Sequence, residues 1–169
     1  MHEDFDEFAV AAWPRLRHAA WLLTGHDQDA EDLASAALAK TFAAWRRVRS
    51  EQPYAYARRC VLNAQIDRVR RRRNRVELVT DVVPDIAESG VGGGSAQSDR
   101  IADRDQLAAL LGTLSVRERQ IVVLRYYFDS SEAEVAEELG ISVGTVKSTA
   151  SRALARLRVE NGSGLEVHS

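Results

Sequence analysis

The chain has 169 residues, of which 45% are hydrophobic and 28% charged, and its formal net charge is -2. This length suits one ordinary domain or two small ones. The single cysteine, Cys60, excludes an internal disulfide, and no Cys/His spacing suggests a zinc site. The N-terminus is acidic where a secretory signal would be basic, and no apolar run approaches the ~18 residues of a membrane helix. We therefore expect a cytoplasmic protein without membrane insertion.

The near-neutral total conceals segments of opposite charge. Residues 46–75 contain 11 basic and 2 acidic residues, a net charge of +9, and residues 142–158 contain 4 basic residues and no acid. Residues 126–141, between the two, contain 5 acids and no base. Two cationic blocks in a chain of net charge -2 indicate surfaces that bind a polyanion such as nucleic acid.

Helical spacing of apolar residues predicts two helices in the first part of the chain. The first covers residues 5–23, with a kink or restart at Pro14 and a stop at Gly25. The second is expected to be capped by Asp27 or Asp29.

The apolar stripe of the second helix runs from Leu33 to Trp45. A third helix is predicted to begin at Pro53, which is favoured at the first helical position. This helix runs into the arginine-rich segment 68–75, so one end of it carries six arginines.

A change of composition divides the chain. Residues 76–98 are acidic and rich in Gly and Ser without a sustained apolar period, which predicts a flexible linker. We expect an N-terminal domain in residues 1–75, a C-terminal domain in residues 99–158 and a polar tail in residues 159–169. Both domains are predicted to be small and all-α.

Four helices are predicted in the C-terminal domain. The first covers residues 101–111, and capping boxes at Ser115 and Ser131 begin the next two. Gly140 ends the third helix and Ser142 caps the fourth. The short helix, glycine turn and longer helix together fit a helix-turn-helix.

The outer face of the last helix has the chemistry of a recognition helix. Its small, hydrogen-bonding and cationic residues are Thr145, Lys147, Ser148, Ser151 and Arg152. The first two are suited to phosphates near the helix N-terminus, and the other three to base edges. The alternative is an amphipathic hairpin with a solvated polar face. Acids on the preceding helix and only cations on this one argue against that alternative.

The third helix combines aromatic, amide, acidic and cationic side chains. These residues are Tyr54, Tyr56, Arg58, Arg59, Asn63 and Asp67. The combination suits single-stranded or distorted nucleic acid, with the arginines beyond following the phosphates. For one of the two tyrosines, core packing is the expected role.

Three motifs together resemble the extracytoplasmic-function (ECF) group of bacterial sigma factors, the promoter-recognition subunits of RNA polymerase, and in particular its actinobacterial SigE-like members. They are Asp-Ala-Glu-Asp-Leu at residues 29–33, the segment 63–73 with Asp67-Arg68, and Gly-Ile-Ser-Val-Gly-Thr-Val-Lys-Ser at residues 140–148. The resemblance covers nearly the whole chain. It implies two helical domains corresponding to sigma domains 2 and 4.

The resemblance also implies partners and roles. The polymerase core would be bound at the beta-prime clamp helices through Asp29, Glu31, Asp32 and Leu33, and at the beta flap through the C-terminal domain. The -35 element would be read through residues 145–152. The residues implied for the melted -10 element are Ser50, Gln52, Tyr54, Tyr56, Arg59, Asn63, Asp67, Arg68 and Arg71. No catalytic residue, cofactor or metal is implied, and the free chain is expected to be a monomer. Many members are inhibited by an anti-sigma factor, although the sequence identifies none here.

Three positions depart from the family pattern. Ser35 and Ala36 stand where members often have Gln and an acid, which predicts an altered core-polymerase contact. Thr149 stands where Arg is frequent, which predicts a changed promoter preference or salt dependence.

Two other functions stay open at the level of sequence. A stand-alone helix-turn-helix regulator would leave residues 29–33 and the arginine-tipped helix unexplained. An enzyme acting on nucleic acid is disfavoured because the four histidines are scattered, and none lies near a Cys or a paired carboxylate in a catalytic or metal-binding arrangement.

Overall fold

The computed structural model describes the backbone of residues 2–78 and 95–163 and the side chains of residues 3–75 and 102–162. All regular structure in these ranges is helical, which confirms the all-α expectation. The helices are α1 (His2–Thr24), α2 (Asp27–Ala43), α3 (Trp45–Val48), α4 (Pro53–Leu78), α5 (Ser95–Gly112), α6 (Val116–Val122), α7 (Glu132–Leu139) and α8 (Val143–Ser163). Most of the predicted linker and the end of the predicted tail lie outside the described residues.

The first four helices form an N-terminal bundle, in which α1, α2 and α4 pack on one another. Leu16, Leu23, Ala30 and Val61 are at most 1% exposed at its centre. Burial of apolar surface, worth about 25 cal/mol per Å², is what holds such a small unit together. Helix α1 continues through Pro14, so a restart there is wrong, whereas a kink at this proline stays a prediction.

The start and end of α2 differ from the sequence expectation. His26 is the N-cap residue, with extended backbone angles (φ -131°, ψ 134°) and no side-chain cap hydrogen bond. Asp27 is already helical and its carboxylate accepts from Arg17 Nη2 at 3.0 Å, whereas Asp29 pairs with Arg68. The expected cap at Asp27 or Asp29 is therefore wrong, because both carboxylates bind guanidinium groups. Trp45 belongs to α3, after the turn that ends α2.

Helices α5 to α8 form a C-terminal bundle with the predicted capping boxes. Ser115 Oγ accepts from the Glu118 N–H at 3.2 Å, and Glu118 Oε2 accepts from the Ser115 N–H at 2.8 Å. The same reciprocal pair joins Ser131 and Glu134. Helix α6 continues into a π-helical turn, Val123–Tyr127. Two helices extend beyond their predicted bounds: α5 begins at Ser95, and α8 reaches Ser163.

The two bundles pack against each other, with α1 contacting α5, α6 and the π-helical turn. A buried polar layer crosses this contact. Gln120 is fully buried and donates from Nε2 to Leu62 O at 3.1 Å and to Gln65 Oε1 at 3.2 Å. Gln65 donates to Leu23 O at 2.7 Å, and Arg119 donates to the same oxygen at 2.7 Å. Hydrogen-bonded buried amides fix one relative placement of the bundles, since a shift would leave them unpaired.

Candidate nucleic-acid interface

Helices α7 and α8 form a helix-turn-helix with a tightly specified turn. Gly140 ends α7 with φ 65° and ψ 38°, a left-handed conformation that favours glycine. The Ile141 N–H then bonds Ala136 O at 3.0 Å, and Ser142 Oγ accepts from the Thr145 N–H at 3.1 Å to cap α8. These bonds satisfy main-chain groups that the two helix ends would otherwise leave unpaired.

The inner face of α8 is apolar, as the sequence predicted. Val146 and Ala153 are fully buried, and so is Val135 of α7. Ala150 is 7% exposed. This packing fixes the rotation of α8 about its axis, so the opposite face must point outward.

All five residues predicted for duplex recognition lie on the exposed face of α8. They are Thr145, Lys147, Ser148, Ser151 and Arg152. Their hydrogen bonds are local: Ser148 Oγ donates to Thr145 O at 3.3 Å, and Arg152 Nε donates to Ser148 O at 3.3 Å. Lys147 Nζ lies 3.6 Å from a Glu132 carboxylate oxygen. A helix face of small polar side chains with two cations can enter a major groove without steric obstruction.

Thr149 occupies the edge of this surface. Its side chain is 7% exposed, and its Oγ1 accepts a long hydrogen bond of 3.4 Å from Arg152 Nη2. The threonine therefore packs with the inner face of α8. It also contacts Arg152, the arginine of the outer face that was predicted to reach base edges.

The predicted single-strand residues of α4 form a stripe along one side of the helix. Arg59, Asn63, Asp67 and Arg71 are spaced four residues apart and are all exposed. Arg71 Nε donates to Asp67 O at 3.4 Å. A polar stripe of this kind offers cations for phosphates together with an amide and an acid for base edges.

The turn before α4 extends the stripe. Ser50 and Gln52 are exposed there, and Tyr56 is half-buried, with the Arg47 guanidinium 5.9 Å from its ring centroid. Exposed polar groups beside an accessible aromatic ring are suited to an unstacked base. Gln52 and Tyr56 line one groove together with Arg59 of the α4 stripe, and exposed Ser50 lies in the turn just before them.

Two predicted single-strand residues lie elsewhere. Tyr54 lies between the bundles, with its ring centroid 6.2 Å from that of Phe128, and burial raises the pKa of its hydroxyl to about 12. Arg68 is paired with Asp29 on α2. Tyr54 thus makes the packing contact that was expected for one of the two tyrosines.

The acidic segment of α2 presents only part of its predicted surface. Leu33 is 5% exposed in the core, and Asp29 is held by Arg68. Glu31 accepts from Arg17 Nη2 at 3.0 Å, and Asp32 is exposed, with Gln28 Nε2 3.3 Å from its carboxylate. Ser35 and Ala36 are exposed one turn further along. The outward-facing surface of this segment is therefore formed by Asp32, Glu31 in part, and the two positions that depart from the family pattern.

Sequence reasoning missed the residues that join the bundles. Arg58 of α4 binds Glu138 of α7 in a two-pronged ion pair, with Nε–Oε1 3.2 Å and Nη2–Oε2 2.5 Å. The polar layer of Gln65 and Gln120 was also unforeseen. The sequence offered little signal for this layer, because Gln65 stands between Asn63 and Asp67 and Gln120 directly follows Arg119.

Neither a metal-binding cluster nor a membrane-spanning helix is found in the described part of the chain. Within residues 3–75 and 102–162, no three His, Cys, Asp or Glu side chains lie close enough together to hold a metal ion. None of the described helices is long and apolar enough to cross a membrane. The arrangement is that of a nucleic-acid-binding protein: a helix-turn-helix and, apart from it, a second cationic helix.

Comparison with known proteins identifies the class. Residues 10–75 match the profile of sigma-70 region 2, and residues 104–157 match that of sigma-70, region 4. The chain is 37% identical over 158 residues to the RNA polymerase sigma-E factor of Streptomyces coelicolor, covering 93% of this chain and 85% of that protein. It is 32% identical over 162 residues to the ECF RNA polymerase sigma factor SigL of Mycobacterium tuberculosis, covering 92% and 85%.

A solved structure supports the same family assignment. The sigma factor RpoE of Bartonella quintana, crystallised with the anti-sigma factor NepR, superposes with a TM-score of 0.73 over 99% of both chains at 26% identity. The chain belongs to the sigma-70 family of RNA polymerase sigma factors, in its ECF group. It directs transcription initiation and is not an enzyme, which confirms the expectation from the sequence and favours it over both alternatives.

Proposed function

We propose that this sigma factor reads its promoter through two surfaces: the outer face of α8 on duplex DNA of the -35 element, and the α4 stripe on the opened strand of the -10 element. The observation that carries the proposal is the placement of Thr145, Lys147, Ser148, Ser151 and Arg152 on one exposed face of a capped helix. Within this proposal residues 1–75 act as the polymerase-binding and -10 domain, residues 99–158 as the -35 domain, and residues 76–98 as their linker.

At the -35 element, the N-terminus of α8 faces the phosphates. Lys147 adds positive charge there, and the unpaired N–H groups of the first turn favour an anion. Ser148, Ser151 and Arg152 lie further along the same face and contact base edges in the major groove. Phosphate contacts set the position of the helix, and base contacts select the sequence.

At the -10 element, α4 offsets the cost of strand opening. Extruding a base costs a few kcal/mol of stacking energy, and contacts between the protein and the unpaired base must offset this cost. Tyr56 offers a ring, Asn63 and Asp67 offer polar edges, and Arg59 and Arg71 bind the backbone. Ser50 and Gln52 contact a flipped base from the turn before the helix.

The outward-facing part of α2 is the proposed contact with the beta-prime clamp helices of the core polymerase. Asp32 supports this assignment because it is exposed and its carboxylate accepts a hydrogen bond from the neutral amide of Gln28. Asp29 and Leu33 act indirectly, by fixing α2 on α4 and in the core. The beta flap is contacted by the C-terminal bundle.

We extend the proposal to regulation and location. The RpoE neighbour was crystallised with an anti-sigma factor, which supports a protein of that kind as a further partner of this chain. Because the chain acts on RNA polymerase and promoter DNA, its site of action is the cytoplasm.

Site-specific photocrosslinking tests the two assignments separately. A benzophenone amino acid replaces Ser151 in one variant and Asn63 in another, and each variant is assembled with core polymerase on an end-labelled promoter. Crosslinks from position 151 are expected in the upstream element, and crosslinks from position 63 on the unpaired strand near the start site. A matched probe at exposed Ala39 of α2 is expected to give no DNA crosslink. Crosslinks from both positions to the same element would contradict the proposal.

A further inference from the structure

The hydroxyl of Thr149 has an unusual partner for a buried threonine in a helix. Thr149 is 7% exposed, so its Oγ1 is largely withdrawn from water. Thr41, the other buried threonine in the described part of the chain, donates from Oγ1 to Ala37 O of its own helix at 2.7 Å. The hydrogen bond that the structure gives to Thr149 Oγ1 is instead the one it accepts from Arg152 Nη2 at 3.4 Å. The hydroxyl therefore faces the recognition arginine rather than its own main chain.

The position of this oxygen is set by the packing of α8. Val146 and Ala153, which precede and follow Thr149 by one turn of the helix, are fully buried. A β-branched side chain in a helix has few allowed χ1 angles, and burial in a close-packed interior restricts it further. Arg152 is exposed and has a long, rotatable side chain. Of the two partners, Thr149 therefore supplies the fixed position and Arg152 the adjustable one.

Two acceptors on the helix occupy one edge of the Arg152 guanidinium. Nε donates to Ser148 O at 3.3 Å, and Nη2 donates to Thr149 Oγ1 at 3.4 Å. The guanidinium is a rigid planar fork of N–H donors, in which both terminal nitrogens carry two hydrogens. Within residues 3–75 and 102–162, Nη1 donates to no acceptor. The edge formed by Nη1 and Nη2 therefore keeps one free N–H on each nitrogen and lies away from the two acceptors on the helix.

A free guanidinium edge of this kind distinguishes guanine from the other bases. Two parallel N–H donors match the O6 and N7 acceptors of guanine in the major groove. Adenine presents N7 beside a donor amino group, so the same edge cannot bond both of its positions. An arginine whose orientation is not restricted can equally bind phosphates, which carry no sequence information. Holding the Nη1–Nη2 edge outward therefore favours the readout of guanine.

Restricting Arg152 before DNA binds also increases the selectivity. A long side chain loses rotamer entropy when it becomes ordered at an interface, which lowers affinity by about 2- to 10-fold. This loss falls on the complex in which Arg152 is ordered on its base, so a residue that restricts Arg152 beforehand raises the preference for that base. The two hydrogen bonds are long, so they bias the orientation of the guanidinium, and the expected gain lies in the lower part of that range.

We propose that Thr149 is a positioning residue for Arg152, and that the pair makes the contact of α8 with the -35 duplex selective for guanine at one position. The proposal rests on the proposed function of the outer face of α8. It adds the base that Arg152 reads and a residue that acts on DNA only through Arg152. It also assigns a role to one of the three positions that depart from the family pattern.

A binding selection with reconstituted holoenzyme tests the pair. The probe is a promoter fragment that the holoenzyme transcribes, with its upstream element replaced by a random duplex sequence, and the bound sequences are counted. Holoenzymes contain the wild type, Arg152→Ala, Thr149→Val or Thr149→Ser. Thr149→Val keeps the branched shape and removes the oxygen, whereas Thr149→Ser keeps the oxygen. Thr41→Val is the matched control, because it removes a buried threonine hydroxyl from α2.

We expect one upstream position at which the wild type prefers guanine and Arg152→Ala has no preference. At that position the preference for guanine should fall about 2- to 5-fold in Thr149→Val and stay close to wild type in Thr149→Ser and Thr41→Val. Fluorescence anisotropy over a salt series should give Thr149→Val the wild-type salt slope, whereas a lost phosphate contact lowers the slope by about 0.9. The urea midpoint of Thr149→Val should not fall, since water replaces Thr149 as the partner of exposed Arg152.

The outcomes separate this inference from the proposed function. An unchanged guanine preference in Thr149→Val, or an equal fall in Thr149→Val and Thr149→Ser, would overturn the positioning role and leave α8 as the recognition helix. A position that loses its preference in Arg152→Ala but selects another base would overturn the guanine assignment. Upstream preferences that are all unchanged in Arg152→Ala would contradict the proposed function of Arg152, and the inference would fail with it.

Discussion

Arg152 provides the sharpest test of the recognition face, because α8 contains a matched arginine one turn later. The Arg152 guanidinium makes two long hydrogen bonds within its own helix, to Ser148 O at 3.3 Å and to Thr149 Oγ1 at 3.4 Å. Arg156 instead turns back to the bundle, where it binds Glu118 Oε2 at 3.1 Å and Thr113 O at 3.3 Å. Replacing either residue by alanine removes one positive charge from the same helix.

The two substitutions are expected to have opposite effects. Loss of a base-edge contact costs about 1–3 kcal/mol, so Arg152→Ala should weaken upstream-element binding by roughly 5- to 150-fold. Its long intrahelical bonds contribute little, and the free energy of unfolding should change by less than about 0.5 kcal/mol. Arg156→Ala should leave DNA affinity within about twofold and lower the free energy of unfolding by up to about 1 kcal/mol, the range for an exposed ion pair.

The assay measures fluorescence anisotropy of a labelled upstream duplex with holoenzyme reconstituted from core polymerase, over a series of salt concentrations. Urea unfolding of each free variant supplies the stability. If Arg152 reads a base, its variant loses discrimination between cognate and substituted duplexes; if it binds phosphate only, the salt slope falls by about 0.9 without loss of discrimination. Equal DNA affinity of Arg152→Ala and Arg156→Ala would refute the assigned orientation of α8.

Three further predictions concern the turn, the capping boxes and the polymerase contact. In Gly140→Ala the added Cβ meets no neighbouring atom, but the alanine must adopt a φ of 65°. Urea unfolding should therefore show a free energy of unfolding lower by about 1–2 kcal/mol. An unchanged unfolding midpoint would argue against the left-handed turn. Hydrogen bonds from Ser115 hold the pKa of Glu118 in the folded protein below its ordinary value of 4.5. The ionised carboxylate therefore contributes its full stabilisation above pH 4.5 and loses it as the pH falls through the folded-state pKa. The urea midpoint should consequently fall less steeply with acidification in Glu118→Gln than in the wild type, and parallel pH profiles would contradict this. Asp32→Ala should weaken binding to core polymerase, measured by titration with core enzyme, without changing the stability of the free protein. Asp29→Ala should lower the melting temperature in thermal unfolding because Arg68 loses its partner. An unchanged melting temperature of Asp29→Ala would show that the ion pair does not stabilise the fold.

Features with a local cause were predictable from the sequence. The caps at Ser115, Ser131 and Ser142 and the stop at Gly140 depend on residues within four positions of each other, and all four lie where they were predicted. The outward face of α8 was predictable as well, since the helical period alone separates it from Val146 and Ala153.

Features that depend on distant residues were not predictable. Gln65 and Gln120 are 55 positions apart, and Arg58 and Glu138 are 80 apart, so no local pattern pairs them. The prediction of the α2 N-cap was wrong for a related reason. Asp27 has good capping chemistry, but its carboxylate binds Arg17 and also Arg104, 77 residues away. Long-range partners thus decided the roles of charged residues whose local signals suggested something else.

Reconstituted transcription shows whether this chain selects promoters for the polymerase. Purified core polymerase, with and without this chain, is given a library of genomic fragments from the host, and the 5′ ends of the transcripts are mapped. We expect start sites that depend on the chain, share upstream and downstream elements, and are lost with the Arg152→Ala and Asn63→Ala variants. Start sites that are the same with and without the chain would contradict a promoter-recognition role.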